Sequence, residues 1–469
     1  MSRTTPIDPQ PRSGFSREES ARAVRLLLTF QCFNAMMFTI ALGAPMVLLA
    51  RFLGATEGII GILNAIPTGL VIMQLVGAGL VDRQGTRRIM VLGWFTRTIC
   101  ILPIIAAPLL AGRLPGDWLI VLGLGLPLLA FSFLRGIATT AWLPWLNELL
   151  PATRRGRYFG TEQMVINISA FGTLLLCGWF LGEAPEAWRY SVLFLACFFA
   201  GMMSVFILRM VPGGRPDPAM HGQPRQRMGD RWRQMQQLLN YGPWFRTWRF
   251  IVIQVFAISP VPMFLVLFLR DQLQLPEGIV LKMQAMMTLG VLLSAVAWGR
   301  LSDSAGSRPM LRIAGVSLIA VISFWLFAAC GLFRPPVALV VIAFLIYGMF
   351  QSMHGVAQAR MTIGCCPQRM ITIATAIIGV SVSLAAATAS IGWGFMLERL
   401  GGANPGGPAL GYAVMFLTCA GLSLAAQTML TRVPEPRAMS ARRVLQVLYG
   451  WPVRVLASLA AGNRRQDAE

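Results

Sequence analysis

Gln31 and Asn34 stand three residues apart, Arg135 stands four before Thr139, and Gln351, His354 and Gln358 follow one another at steps of three and four. Each set falls on one face of its segment if that segment is helical, because residues three and four apart are neighbours on a helix. Gln254 precedes Ser259, Pro260 and Pro262, where a helix should break or bend. All these polar residues lie in strongly apolar surroundings, where each costs free energy unless it meets water, a ligand or a polar partner. The chemistry they offer is recognition. Amides and a hydroxyl can hydrogen-bond a polar solute, Arg135 can pair with an anion or zwitterion and keeps its charge, and His354 can gain and lose a proton near neutral pH.

Each has a plainer alternative. Arg135 can donate to carbonyls at the end of a helix and only fasten a bundle, and His354 can be a hydrogen-bonded structural residue. Arg97 is expected to pack or to sit at an interface. Glu162, about a turn inside an apolar run, is expected to pair with Arg154 or Arg157. No other Asp or Glu lies convincingly inside an apolar run, so proton coupling has no clear carboxylate carrier; His354, the charge of the cargo, or no coupling stay open.

Covalent catalysis finds no support. There is no His-Glu-x-x-His pair for zinc, no Ser and His at convincing depth, and no Gly-rich phosphate loop before a lysine, Lys282 being the single Lys. Of eight cysteines, Cys32, Cys100, Cys177, Cys197, Cys330 and Cys419 lie in apolar runs, while Cys365 and Cys366 adjoin a loop. They read as small packing residues, and no metal or cofactor is expected.

The elements that carry these residues are set by composition. Of 469 residues, 56% are hydrophobic and 13% charged, more apolar side chain than a water-soluble domain can hide. The apolar residues gather into runs of about 20 or more, the length that crosses roughly 30 Å of hydrocarbon as a helix. Twelve spans are predicted near 26–50, 58–81, 89–111, 118–145, 159–182, 189–211, 247–270, 279–301, 310–333, 337–360, 371–397 and 412–431. The ten-residue alternation of a membrane β-barrel is absent. The net charge of +21 is topological: most of the Arg falls in loops on the side that carries both termini, which positive-inside sorting assigns to the cytoplasm. Anionic lipid, not nucleic acid, is the expected partner of that charge. The first 25 residues are polar and Arg-rich, the run after them is too long for a signal peptide, and span 1 is expected to remain as an anchor.

The chain also repeats itself. EGIIGILNAIPTGLVIMQLVGAGLVDRQGTRR from Glu57 is echoed by EGIVLKMQAMMTLGVLLSAVAWGRLSDSAGSRP from Glu277, an offset of about 220 residues, and the surroundings of Pro151 are echoed more weakly around Pro367. Each copy opens a span with Glu-Gly-Ile and closes it with an Asp-x-x-Gly-x-Arg turn. Gly85 or Gly306 can supply the positive φ of that turn. Asp82 or Asp303 can cap the next helix. Arg87, Arg88 and Arg308 can bridge to that carboxylate, to the C-terminal end of a neighbouring helix, or to lipid phosphate.

GAGLVDRQGTRR resembles the signature loop of the major facilitator superfamily, G-x-L-a-D-R-x-G-r-R. Leu80, Asp82, Arg83, Gly85, Arg87 and Arg88 match; Ala78 and Thr86 depart from the pattern. The second copy keeps Gly299, Leu301, Asp303, Gly306 and Arg308. The resemblance implies an all-α membrane protein of twelve transmembrane helices in two pseudo-symmetric six-helix bundles that rock about a midplane site. It implies that spans 1, 4, 7 and 10 line the cavity and that the signature loops gate without binding cargo. LRGIATTA around Arg135 is a distant likeness of the fourth-span motif of the superfamily, although Gly136 comes early, and span 5 lacks the G-x-x-x-G-P pattern of many drug antiporters.

The expected layout is a cytoplasmic tail at 1–25, a bundle at 26–211, a cytoplasmic linker at 212–246 with a short amphipathic helix at DRWRQMQQLLNY, a second bundle at 247–432, and a basic amphipathic tail at 433–469 lying on the membrane surface. The expected function is secondary active or facilitative transport of a small organic solute, anionic or zwitterionic, by a monomer in a bacterial inner membrane, with a proton as the candidate coupling ion. The competing expectation is a relative of the same fold that assists assembly of a pigment or membrane protein.

Overall fold

The apolar runs form helices, because hydrocarbon leaves a backbone no partner except itself. The computed structural model describes residues 17–150, 152–214, 228–367, 370–402, 404–405, 407–433 and 435. Among them, eleven helices are long and apolar enough to span a membrane: Glu18–Phe52, Thr86–Leu110, Gly116–Leu149, Arg154–Leu181, Ala187–Met210, Gly242–Gln272, Glu277–Ser302, Ser307–Ala329, Val337–Gly364, Ile373–Leu400 and Leu410–Leu430. The second span is interrupted. Its apolar helix Glu57–Met73 is shorter, tightens to a 3-10 turn at Leu70–Met73, and resumes as Gln74–Gln84.

The first helix starts at Arg17 rather than near residue 26, with Glu18 and Glu19 in its first turn, where carboxylates suit the positive end of the helix dipole. Span 7 breaks where its prolines predict: one helix ends at Ile258 and the next begins at Val261. The linker sequence DRWRQMQQLLNY lies in the helix Met228–Asn240 and the residue after it. The linker residues 215–227 and the tail residues 436–469 lie outside the described residues.

The repeat is visible in the packing. Span 1 packs on spans 5 and 6, as span 7 packs on spans 11 and 12; span 4 packs on 2 and 3, as 10 packs on 8 and 9. Between the two groups of six, span 2 lies against span 11 and span 5 against span 8. Small residues permit that approach: a Cβ on Gly61 would stand 2.5 Å from the Ser390 carbonyl oxygen, and one on Gly394 would stand 2.6 Å from that of Glu57. On the span 5 and span 8 side, Gly278 N–H donates to Gly182 O at 2.8 Å.

A polar cavity in the first half and a clasp between the halves

Span 1 contributes one turn of amides to the interior, span 3 an Arg and a Trp, span 4 an Arg, and span 5 a carboxylate. All but the span 4 Arg form one chain. Arg97 Nη2 donates to Asn34 Oδ1 at 2.6 Å, and Trp94 Nε1 donates to the same oxygen at 3.1 Å. Asn34 Nδ2 donates to Gln31 Oε1 at 3.0 Å, and Gln31 Nε2 donates to the Glu162 carboxylate. Gln31 and Asn34 meet because they are three apart on one helix, as the spacing predicts.

One residue departs from expectation, and one packs as expected. Glu162, only 4% exposed, is bonded to Gln31 and not to Arg154 or Arg157. Arg97 is wholly buried, with its Cζ 4.0 Å from the Trp94 ring centroid, 4.7 Å from Phe38 and 5.3 Å from Phe131. Its Nε and Nη1 have no hydrogen-bond partner among the described residues, so aromatic faces take the place of water around the cation.

Arg135 is part-buried on the wall of a cavity of about 300 Å³ lined by Phe30, Gln31, Asn34, Phe38, Val71, Gln74, Met90, Trp94, Gly136, Thr139, Trp142 and Ile166. Its Nη2 donates to Pro67 O at 2.5 Å. That carbonyl belongs to the turn before the 3-10 stretch Leu70–Met73. Arg135 therefore both ties span 4 to span 2 and keeps further N–H groups at the cavity. Its Cζ stands 5.7 Å from the Phe38 centroid, so both guanidiniums share that ring. Thr139 Oγ1 donates back to Arg135 O at 2.7 Å.

The polar residues expected in the second half do not gather in the same way. Gln254 is fully buried and donates to Ser423 Oγ at 2.8 Å, joining spans 7 and 12. His354 is 4% exposed with Nε2 unpartnered among the described residues, and Gln351 Oε1 is likewise unpartnered; Gln358 is part-buried on the same helix.

The signature turns adopt the backbone their glycines permit: Gly85 has φ 82° and Gly306 φ 90°, each as the N-cap of the next helix. Arg87 Nη2 donates to Arg209 O and Arg308 Nη2 to Thr431 O, both at 2.6 Å. Of the three partners open to these arginines, each takes the C-terminal end of the last helix of its own half. Glu435 accepts from the backbone N–H of Ser307 at 2.9 Å and of Arg308 at 2.7 Å, capping span 9. The side chains of Asp82 and Asp303 lie outside the described residues, and Arg83 and Arg88 are exposed.

At the opposite end, sequence reasoning missed a cluster altogether. Arg51 donates to Glu57 at 3.1 Å and pairs with Asp271 at 3.0 Å; Arg270 pairs with Asp271 at 3.1 Å and Glu277 at 2.9 Å; and Tyr190 hydroxyl donates to Glu277. Arg51 to Asp271 and Tyr190 to Glu277 cross between the halves. Asn64 Nδ2 donates to Ser390 Oγ across the same interface at 3.0 Å. The repeated Glu-Gly-Ile start of spans 2 and 8 was the available signal, since Glu57 and Glu277 both enter the cluster.

Helices of this length, arranged twice over, define an integral multi-pass membrane protein of transporter architecture. The Major Facilitator Superfamily family description matches residues 26–329, and the chain belongs to that superfamily. Comparison with curated proteins gives no match. Among solved structures, the fold is similar to a D-xylose-proton symporter at TM-score 0.68 and 16% identity, over 91% of this chain and 100% of that one. It is also similar to a bacterial homologue of the human lysosomal transporter Spinster, inward-facing and unoccupied, at TM-score 0.66 and 14% identity over 92% and 99% of the two chains. The nucleoside transporter NupG gives TM-score 0.67 and 13% identity over 88% and 100%. At such identities the likeness is one of fold.

Proposed function

We propose that this protein carries a small organic anion across a membrane by alternating access, with the cavity of the first six spans as the cargo site and Arg135 as its anchor. The observation that carries the reading is a fixed cation on the wall of a cavity of about 300 Å³ inside a transporter fold, with no carboxylate bonded to it among the described residues. The signature turns then face the cytoplasm with both termini, the membrane is a bacterial inner membrane, and the clasp closes the outer end, so the described state is inward-facing. The gating role falls to Asp82, Arg83, Gly85, Arg87, Arg88, Asp303, Gly306 and Arg308, which bind no cargo. A lipid surface and a coupling proton are the further partners, with the buried Glu162 as a proton acceptor that His354 would otherwise have to be.

The test is uptake and efflux by purified protein in proteoliposomes, across organic acids, amino acids, sugars and drugs, with and without a pH gradient. Flux of an anion that Arg135→Gln abolishes and Arg135→Lys retains in part is expected. Wild-type flux from both variants removes Arg135 from the site.

A further inference from the structure

Resting on the reading of this cavity as the cargo site, we propose that its ligand class is a monoanion with a flat aromatic body, an arylcarboxylate.

Charge sets the valence. The hydrogen bonds from Arg97 through Asn34 and Gln31 to Glu162 all run in one direction, each amide donating toward the carboxylate. The two amide dipoles are thus aligned between cation and anion, and Glu162 balances Arg97 across them. Arg135 is outside that chain and, among the described residues, donates only to a neutral carbonyl, so one positive charge faces the cavity without a bonded counter-charge among them. One negative charge on the ligand completes the site.

The walls set the body. Phe38 and Trp142 present part-exposed rings, and Val71 and Ile166 supply the rest of the accessible apolar lining; Phe30 and Met90, wholly buried, pack behind them, with Phe30 5.7 Å from Trp142 and 6.2 Å from Trp94, centroid to centroid. The polar lining is largely spoken for. Gln31 and Asn34 are buried and each commits one amide N–H within the chain, and the Thr139 proton goes to its own helix, so Gln74 and the remaining Arg135 N–H groups are the main donors open to a ligand. That inventory satisfies a carboxylate. It leaves the hydroxyls of a sugar unpaired, and it offers the ammonium of an amino acid no free carboxylate.

The experiment uses the full-length protein in lipid nanodiscs, with radiolabelled benzoate as probe and hexanoate, benzyl alcohol, benzylammonium and phthalate as competitors. Benzoate is expected to bind and to be displaced poorly by hexanoate and not by benzyl alcohol or benzylammonium. Arg135→Gln should weaken benzoate by roughly 10-fold or more, the scale of a lost charged hydrogen bond, while Arg135→Lys retains most of it. Glu162→Gln removes the balancing charge and should shift preference toward the dianion phthalate, an effect that a merely structural Glu162 would not produce. Each variant is first shown to be monodisperse. Equal binding of benzoate and benzyl alcohol, stronger binding of hexanoate, or benzoate affinity indifferent to Arg135→Gln overturns the proposal. Arg135-dependent flux of a sugar or acyclic acid without benzoate binding overturns the ligand class and leaves transport standing. Benzoate binding without flux of any solute leaves the ligand class and overturns transport.

Discussion

Replacing Asp271 by Asn is expected to loosen the clasp without touching the cavity. Asp271 pairs with Arg51 of the first half and accepts from Arg270 of its own half, with side-chain exposures of 25%, 25% and 13% for Arg51, Arg270 and Asp271. Only the contact to Arg51 is broken when the halves part, since Arg270 moves with Asp271. Arg51 retains Glu57, and Arg270 retains Glu277, so neither cation is left bare in the variant. The loss is therefore that of one partly exposed pair, about 1 kcal/mol, which is a shift of about fivefold between closed and open outer ends. Tyr190→Phe removes the second crossing contact, to Glu277, and should cost about as much. The double variant should approach a shift of roughly 25-fold if the two contacts act independently. Double electron-electron resonance between one label on each half at the clasped end reads these populations directly. Wild-type distance distributions in all three variants would refute the assignment of the cluster as a clasp, and a change in cargo affinity larger than the change in population would show that it reaches the site.

Asn34→Ala leaves Arg97 and Trp94 without their shared acceptor inside the bundle; stranding a buried cation costs about 3–5 kcal/mol, so the apparent melting temperature in detergent should fall well below wild type. Glu435→Ala uncaps Ser307 and Arg308 and should cost about 0.5–2 kcal/mol, seen as faster amide exchange confined to the start of span 9. Gly61→Ala puts a Cβ against the Ser390 carbonyl and should prise the same face as Asp271→Asn in the resonance assay; unchanged distances there would mean that the interface has slack. Asp82→Asn should alter both transport and the balance of states if the signature turn is a latch, and leaves that idea untenable if both are unchanged.

What could be read from the residues was whatever depends on side-chain type and spacing. Span count, the broken span 7, the glycine turns and the pairing of Gln31 with Asn34 all follow from composition and local periodicity. The staples from Arg87 and Arg308 were open choices because their acceptors are backbone carbonyls, which every residue offers and no sequence marks. The same holds for Arg135, whose acceptor is the backbone carbonyl of Pro67. The partner of Glu162 was misjudged for another reason: a residue near the end of a helix can be deep in the protein when neighbouring helices overhang it, and depth in a bundle is a tertiary property. Beyond the repeated Glu57 and Glu277, nothing in the residues marked the clasp, because its members lie at span ends, where charged residues usually meet water and headgroups.

The two staples make each six-helix group a hoop, with its third or ninth rod riveted to the end of its sixth or twelfth. A hoop resists fraying of single staves. Motion that exposes one mouth and then the other must therefore pivot on whole hoops, and the compliant points are those where the rods are already jointed, at Leu70–Met73 and between Ile258 and Val261.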